Sequence, residues 1–222
     1  MNKPTGMTSH DVVDVVRRIT GERTVGHAGT LDPLASGVLV VGVGREATKV
    51  LGTISKGTEK TYRATVWLGA TSDTYDAEGR ISENEEVIPP KKIEVQSALR
   101  KFTGTFQQTP PVYSAIKVGG VKAYDRARKG ESFQLEPRTV TIHSINLRKY
   151  TWPTVEFDVT CSSGTYIRSL AHDLGEALGV GGLLQSLERT SVGTYSIWQA
   201  HSLEELQSGW EGFLLPVPHI HS

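Results

Sequence analysis

The sequence predicts an α+β fold, on three observations. Several segments alternate apolar and polar residues with the period of a strand, and they fall in hairpin-like neighbours rather than in a repeating strand–helix order. Helical segments with recognisable starts and stops are scattered between them. No repeat, low-complexity tract or long Pro/Ser linker divides the 222 residues, so one domain with long excursions is expected.

The elements follow in chain order. Thr8-Ser9-His10-Asp11 has the Ser/Thr-x-x-acid form of a helix start. Val12, Val13, Val15, Val16 and Ile19 follow at helical spacing, and Gly21 is the stop. Residues 38–43 are β-branched and short enough for a buried strand. Over 60–69, Tyr62, Ala64, Val66 and Leu68 share one strand face. An acidic turn region occupies 73–86, and Pro89-Pro90 leads into a helix over 91–102. Val140 and Ile142, then Val155, Phe157 and Val159, mark two more strands, while 166–178, 182–190 and 203–208 predict helices. Between 107 and 138 the periodicity fails, interrupted by Pro110-Pro111, Gly119-Gly120, Gly130 and Pro137.

Composition narrows the function classes. Hydrophobic residues at 37% and charged residues at 22% describe a globular chain, neither disordered nor fibrous. A single cysteine, Cys161, excludes an internal disulfide framework and fits a reducing compartment. The opening Met1-Asn2-Lys3-Pro4 is no secretory leader, and the longest apolar-plus-glycine run, 37–44, is too short for a bilayer. A soluble, cytoplasmic protein is expected. The 24 basic and 24 acidic residues cancel, which argues against a uniformly basic nucleic-acid binder. The charge is segregated, however. Residues 100–149 carry +7, whereas 150–222 hold two basic residues against eight acidic ones. Such a segment either binds a polyanion by itself or is a solvated loop. Tyr113, Tyr124 and Phe133 are interleaved with its charges, as aromatic side chains are in single-stranded RNA contacts; a disordered insertion is the plainer alternative. No metal is expected: the seven histidines are scattered, His219-Ile220-His221 is terminal, and there is no paired Cys or His-Glu-x-x-His helix. Gly42-Val43-Gly44 is too incomplete for a dinucleotide loop.

The segment Gly26-His27-Ala28-Gly29-Thr30-Leu31-Asp32-Pro33-Leu34-Ala35-Ser36-Gly37 stands apart. It carries one carboxylate, restrained to extended geometry by Pro33, between glycines that permit turns or close approach of a ligand. Asp-Pro alone is an ordinary turn signal, but the whole segment resembles the active-site motif of the TruB family of pseudouridine synthases. The resemblance continues in order. Lys3-Pro4-Thr5-Gly6-Met7-Thr8-Ser9 is similar to the family's N-terminal Lys-Pro signature, and Lys60-Thr61-Tyr62 to its Lys-x-Tyr strand. Gln108-Thr109-Pro110-Pro111-Val112-Tyr113-Ser114-Ala115 and Lys117 match the start of its RNA-gripping thumb. Cys161-Ser162-Ser163-Gly164-Thr165-Tyr166-Ile167-Arg168 matches the motif of its active-site arginine.

The resemblance implies a pseudouridine-synthase catalytic domain over 1–222. It would be a mixed, largely antiparallel sheet flanked by helices, with a basic thumb at about 107–138. The implied reaction detaches uracil from its ribose, rotates it and rejoins it through C5, without a cofactor. Asp32 is implied as the catalytic carboxylate; it either adds covalently beside the anomeric carbon or removes the 2′ proton, and both roles need the ionised form. Arg168 is implied as its ion-pair partner. Tyr62 stacks on the uracil and, in a further role, assists removal of the C5 proton, although an ordinary phenol is a poor base. His27 fills space left by the extruded base, Tyr166 and Leu187 wall the pocket, and Lys60 completes the substrate-binding set. Lys117, Lys122, Arg126, Arg128 and Lys129 are candidates for the RNA backbone.

Two departures from the family stand out. Only Met1 and Asn2 precede the Lys-Pro signature, where members begin with an apolar strand. The sequence stops at Leu215-Pro216-Val217-Pro218-His219-Ile220-His221-Ser222, where members continue into a small RNA-binding domain, so no separate C-terminal domain is expected. The implied partner is the T-arm stem-loop of tRNA, bound by a monomer, and the target is the T-loop uridine at position 55. The alternatives are the catalytic subunit of a guide-RNA complex and a tRNA-binding chaperone.

Overall fold

The computed structural model describes residues 1–218 apart from Glu85, Ala115 and Ser132, and the side chains of all of these but Lys117, Val118, Lys122 and Arg128. The terminal His219 and His221 therefore lie outside the described residues. In chain order the elements are β1 (Asn2–Lys3), α1 (Ser9–Thr20), β2 (Val25–Ala28), β3 (Ala35–Val38), β4 (Val40–Val43), α2 (Arg45–Gly57) and β5 (Lys60–Leu68). Then come β6 (Ala70–Ser72), β7 (Ile81–Glu83), α3 (Lys92–Lys101), β8 (Gly104–Gln108), β9 (Lys117–Val118), β10 (Val121–Lys122) and α4 (Ala123–Arg128). Last are β11 (Arg138–Thr151), β12 (Thr154–Cys161), α5 (Ile167–Leu178), β13 (Gly182–Val192), β14 (Tyr195–Ser196) and α6 (Leu203–Gln207). The class is α+β with mostly antiparallel strands, as expected. No described helix is long and apolar enough to cross a membrane.

The chain forms two compact units, residues 1–63 with 187–222, and residues 64–186. In the first, Thr8 caps α1 through a reciprocal pair: Asp11 N–H donates to Thr8 Oγ1 at 3.1 Å, and Thr8 N–H donates to Asp11 Oδ2 at 2.8 Å. Gly21 ends the helix in the left-handed conformation, its N–H on Arg17 O. Val12, Val13 and Val16 then pack with Val25, Leu39, Leu203 and Leu206. A second apolar cluster of Ala28, Val38, Leu51, Ile54 and Val192 lies beside it. The expected strand over 38–43 is two strands, β3 and β4, because Leu39 is drawn into the α1 cluster. β3 pairs with β1 and β13, whereas β4 pairs with β2.

In the second unit, β11 pairs with β12 and β8, burying Val140, Ile142, Val155, Phe157 and Val159 as their alternation predicts. Helices α3 and α5 bury Val95, Ala98 and Leu99, and Leu170, Ala171 and Leu174. The stretch expected to lack structure contains the β9–β10 hairpin and α4. A further expectation is overturned. Residues 182–190 form a strand, not a helix, and Leu187 to Arg189 pair in parallel with Ala35 to Gly37. The Leu183, Leu184, Leu187 spacing is helical, but pairing with a partner roughly 150 residues away in sequence overrides local pattern.

Candidate active site

The first unit carries Asp32, His27, Tyr62, Lys60 and Leu187; the second carries Arg168, Tyr166 and the basic excursion. Asp32 sits half-buried in the loop between β2 and β3, and every carbonyl from residue 29 to 33 of that loop has a donor. Arg189 Nη2 donates to Gly29 O at 3.0 Å and Nη1 to Thr30 O at 3.5 Å. Ser9 Oγ donates to Leu31 O at 3.1 Å and accepts from Leu31 N–H at 2.8 Å. Ala35 N–H donates to Asp32 O at 3.0 Å, and Gly6 N–H to Pro33 O at 2.8 Å. The Lys-Pro signature builds part of this frame, since the fully buried Lys3 ammonium donates to Pro4 O and Met7 O at 2.8 and 2.6 Å. A loop with these five carbonyls paired is restrained in its backbone, and with it the position from which the Asp32 side chain projects.

The other members of the first unit are framed by strands. Tyr62 lies on the buried face of β5, two residues after Lys60. The Lys60 ammonium is turned inward, donating to Ser55 O at 2.7 Å and Thr58 O at 2.8 Å, which ties β5 to the end of α2. Leu187, half-buried, is paired in register with Ala35, three residues after Asp32. His27, on β2, is half-buried. Burial, and then the charges of His10 and Arg189, push its imidazole below the ordinary value, so it is neutral near pH 7.

In the second unit Arg168 opens α5 and is buried. Its guanidinium donates to Thr74 O at 3.2 Å and Tyr113 O at 3.1 Å, and lies 3.3 Å from the carboxylate of Asp76. Asp76 is itself buried and accepts from Thr74 Oγ1 at 2.6 Å and Glu78 N–H at 3.1 Å. Between Thr74 and Asp76, Tyr75 takes a left-handed backbone, φ 63°, and its ring stacks on His172 at 4.0 Å. That conformation is unfavourable for a side chain larger than glycine, and it persists because the turn is tied on both sides. The thumb motif is anchored at the same place. Gln108 exchanges two hydrogen bonds with the backbone of Tyr166, the residue capping α5, and Ser169 Oγ donates to Thr109 O at 2.8 Å.

Of the RNA-backbone candidates, Arg126 is engaged by Glu131 at 2.6 Å and lies 5.4 Å over the Phe133 ring, while Lys129 is exposed. The side chains of Lys117, Lys122 and Arg128 lie outside the described ones. Sequence reasoning misses Asp76, Ser9 and Arg189. Asp76 is one of several acids in a turn region, and nothing local marks it as buried. Among the described residues, no group of three or more His, Cys, Asp or Glu is placed to hold a metal ion.

Comparison with known proteins agrees with these motifs. Residues 17–167 match the family model of the TruB family pseudouridylate synthase N-terminal domain, and 168–212 that of the tRNA pseudouridylate synthase B C-terminal domain. The chain is 50% identical over 214 residues to tRNA pseudouridine synthase B of Thermobifida fusca, covering 93% of this chain and 72% of that protein. It is 48% identical over 213 residues to the protein of that name from Mycobacterium tuberculosis strain H37Rv, covering 93% and 70%. Among solved structures, a chain of a Cbf5-Nop10-Gar1 complex superposes with a TM-score of 0.74 at 30% identity, covering 94% of this chain and 53% of that one. A chain of an H/ACA RNP bound to a substrate RNA containing 2′-deoxyuridine gives 0.69 at 28%, covering 94% and 51%. This chain thus spans about half of those solved chains.

Proposed function

The chain belongs to the TruB family of pseudouridylate synthases, and on that premise we infer that it isomerises uridine to pseudouridine in tRNA. The target is the T-loop uridine, position 55, and the enzyme acts as a monomer on the T-arm without a guide RNA. The observation carrying this reading is the loop that presents Asp32 with each carbonyl from residue 29 to 33 paired, since catalysis by one carboxylate requires it held in place while substrate is brought to it.

The chemistry balances without a redox partner. The N1–C1′ bond breaks, the C5–C1′ bond forms, C5 releases its proton to solvent and N1 takes one up. Asp32, ionised, acts at the ribose, either as nucleophile or as base for the 2′ proton. Tyr62 supplies the ring on which the flipped base stacks, His27 stays neutral and occupies vacated space, and Leu187 walls the base. Lys60, with its ammonium committed to two carbonyls, supports the strand that carries Tyr62. Arg168 is the cationic member of the catalytic group, with Asp76 holding its guanidinium oriented. Removing the base from its stack requires a few kcal/mol, least in an RNA loop.

The test is incubation of purified protein with unmodified tRNA transcript and no guide RNA, followed by site-resolved pseudouridine mapping. Pseudouridine at position 55 is expected. Modification only after adding a guide RNA or partner protein would instead support the guide-dependent reading; the likeness to a chain of an H/ACA RNP bound to a substrate RNA is the observation on its side.

A further inference from the structure

Arg189 is 1% exposed, and its guanidinium reaches three backbone carbonyls. Nε donates to Val38 O at 2.7 Å, Nη2 to Gly29 O at 3.0 Å and Nη1 to Thr30 O at 3.5 Å. Gly29 and Thr30 enter the Asp32 loop, and Val38 ends the strand that leaves it. One planar group therefore spans both ends of the segment bearing the carboxylate. The close approach is built into the backbone as well. Arg189 pairs in register with Gly37, whose φ is 102°, and a side chain at Gly37 would run into Arg189 backbone atoms. Ser9 closes the middle of the same loop from α1.

We propose that Arg189 is a positioning residue for catalysis: it holds the Asp32 loop from beneath and so sets the carboxylate against the ribose. This rests on the reading of Asp32 as the reacting group. Burial keeps Arg189 away from substrate, so it acts only through the loop. The role needs a guanidinium, because a fork with fixed donors bridges carbonyls on two segments at once, whereas an ammonium is a single point. A side chain of this size could instead serve the fold alone, and the two roles differ in what they do to the folded enzyme.

Arg189→Met keeps the apolar stem and removes the donors; Arg189→Lys keeps the charge. Each is compared with wild type for the single-turnover rate on saturating tRNA transcript, the tRNA dissociation constant, the folded fraction and amide exchange. Displacement of a reacting group by about 1 Å lowers a rate about 100-fold. Arg189→Met is expected to fall by about that factor per folded molecule, with tRNA affinity within about threefold, since affinity rests on phosphate contacts elsewhere. Arg189→Lys is expected to recover only part of the rate. Exchange is expected to rise at Leu31 and Ala35 but not across α1. Where Arg189→Met fails to fold, Arg189→Lys carries the same comparison. A wild-type rate per folded molecule in the variant measured would overturn the proposal and leave Arg189 a purely structural residue. Asp32→Asn, run alongside, separates the two ideas: if it too turned over normally, the reading of Asp32 itself would fail.

Discussion

Replacing Asp76 with alanine tests the internal frame of the second unit. Asp76 and Arg168 are 3.3 Å apart with side chains 3% and 8% exposed, so solvent screens the pair little. The substitution removes the anion beside a buried guanidinium, together with the acceptor of Thr74 Oγ1 and Glu78 N–H. Breaking a buried pair from one side destabilises by about 3–5 kcal/mol. At about 2–4 °C per kcal/mol for a chain of this length, the melting point should fall by roughly 6–20 °C. Urea unfolding should show a lower midpoint with a similar slope, and Asp76→Asn, which keeps the shape, should fall between. A loss below about 1 kcal/mol, the range of exposed pairs, would refute the burial argument.

Three further outcomes follow from the same structure. Gly37→Ala should destabilise by at least about 2 kcal/mol, from the left-handed φ and the collision with Arg189, read from the urea midpoint; a neutral result would contradict the β3–β13 register. Charge reversal at Lys122, Arg126, Arg128 and Lys129 together should flatten the salt dependence of tRNA binding while sparing single-turnover chemistry. The log–log slope should drop by about 0.7–0.9 for each phosphate that is no longer neutralised, and an unchanged slope would move RNA docking elsewhere. His27 is held below the ordinary imidazole value by burial, so as pH falls below about 6.5 the unfolded chain takes up the proton first. Stability should therefore be undiminished above about pH 7 and decline in the acid range. His27→Asn should flatten that decline as pH falls below about 6.5 in urea titrations, and an identical decline would assign it to other groups.

Much of the fold can be read from local pattern, because local forces decide those elements. Thr8 and Asp11 cap α1 within one turn, and Tyr62, Ala64, Val66 and Leu68 alternate on a strand whose inner face is covered. Helix α2 escapes such a reading: Gly44 caps it without a side chain, and Gly52 and Gly57 dilute its pattern. Strand β13 reads locally as a helix, since its parallel partner lies far away in sequence. The site divides in the same way. Motif resemblance points to Asp32, Tyr62 and Arg168, but the groups that hold them are set by distant pairing. Lys60 shows the limit most clearly: the motif marks it as a substrate-binding candidate, but nothing local tells that its ammonium also donates to Ser55 O and Thr58 O at the end of α2.

The most direct measurement is tritium release from tRNA labelled at uracil C5, comparing wild type with Asp32→Asn and adding no guide RNA. Forming the C5–C1′ bond obliges C5 to give up its hydrogen, so release reports the reaction whichever route Asp32 takes. Wild type should release tritium in proportion to pseudouridine formed. Asp32→Asn should release none while binding tRNA within about tenfold of wild type, because binding rests mainly on phosphate contacts. Release by Asp32→Asn at a rate near wild type would contradict the account.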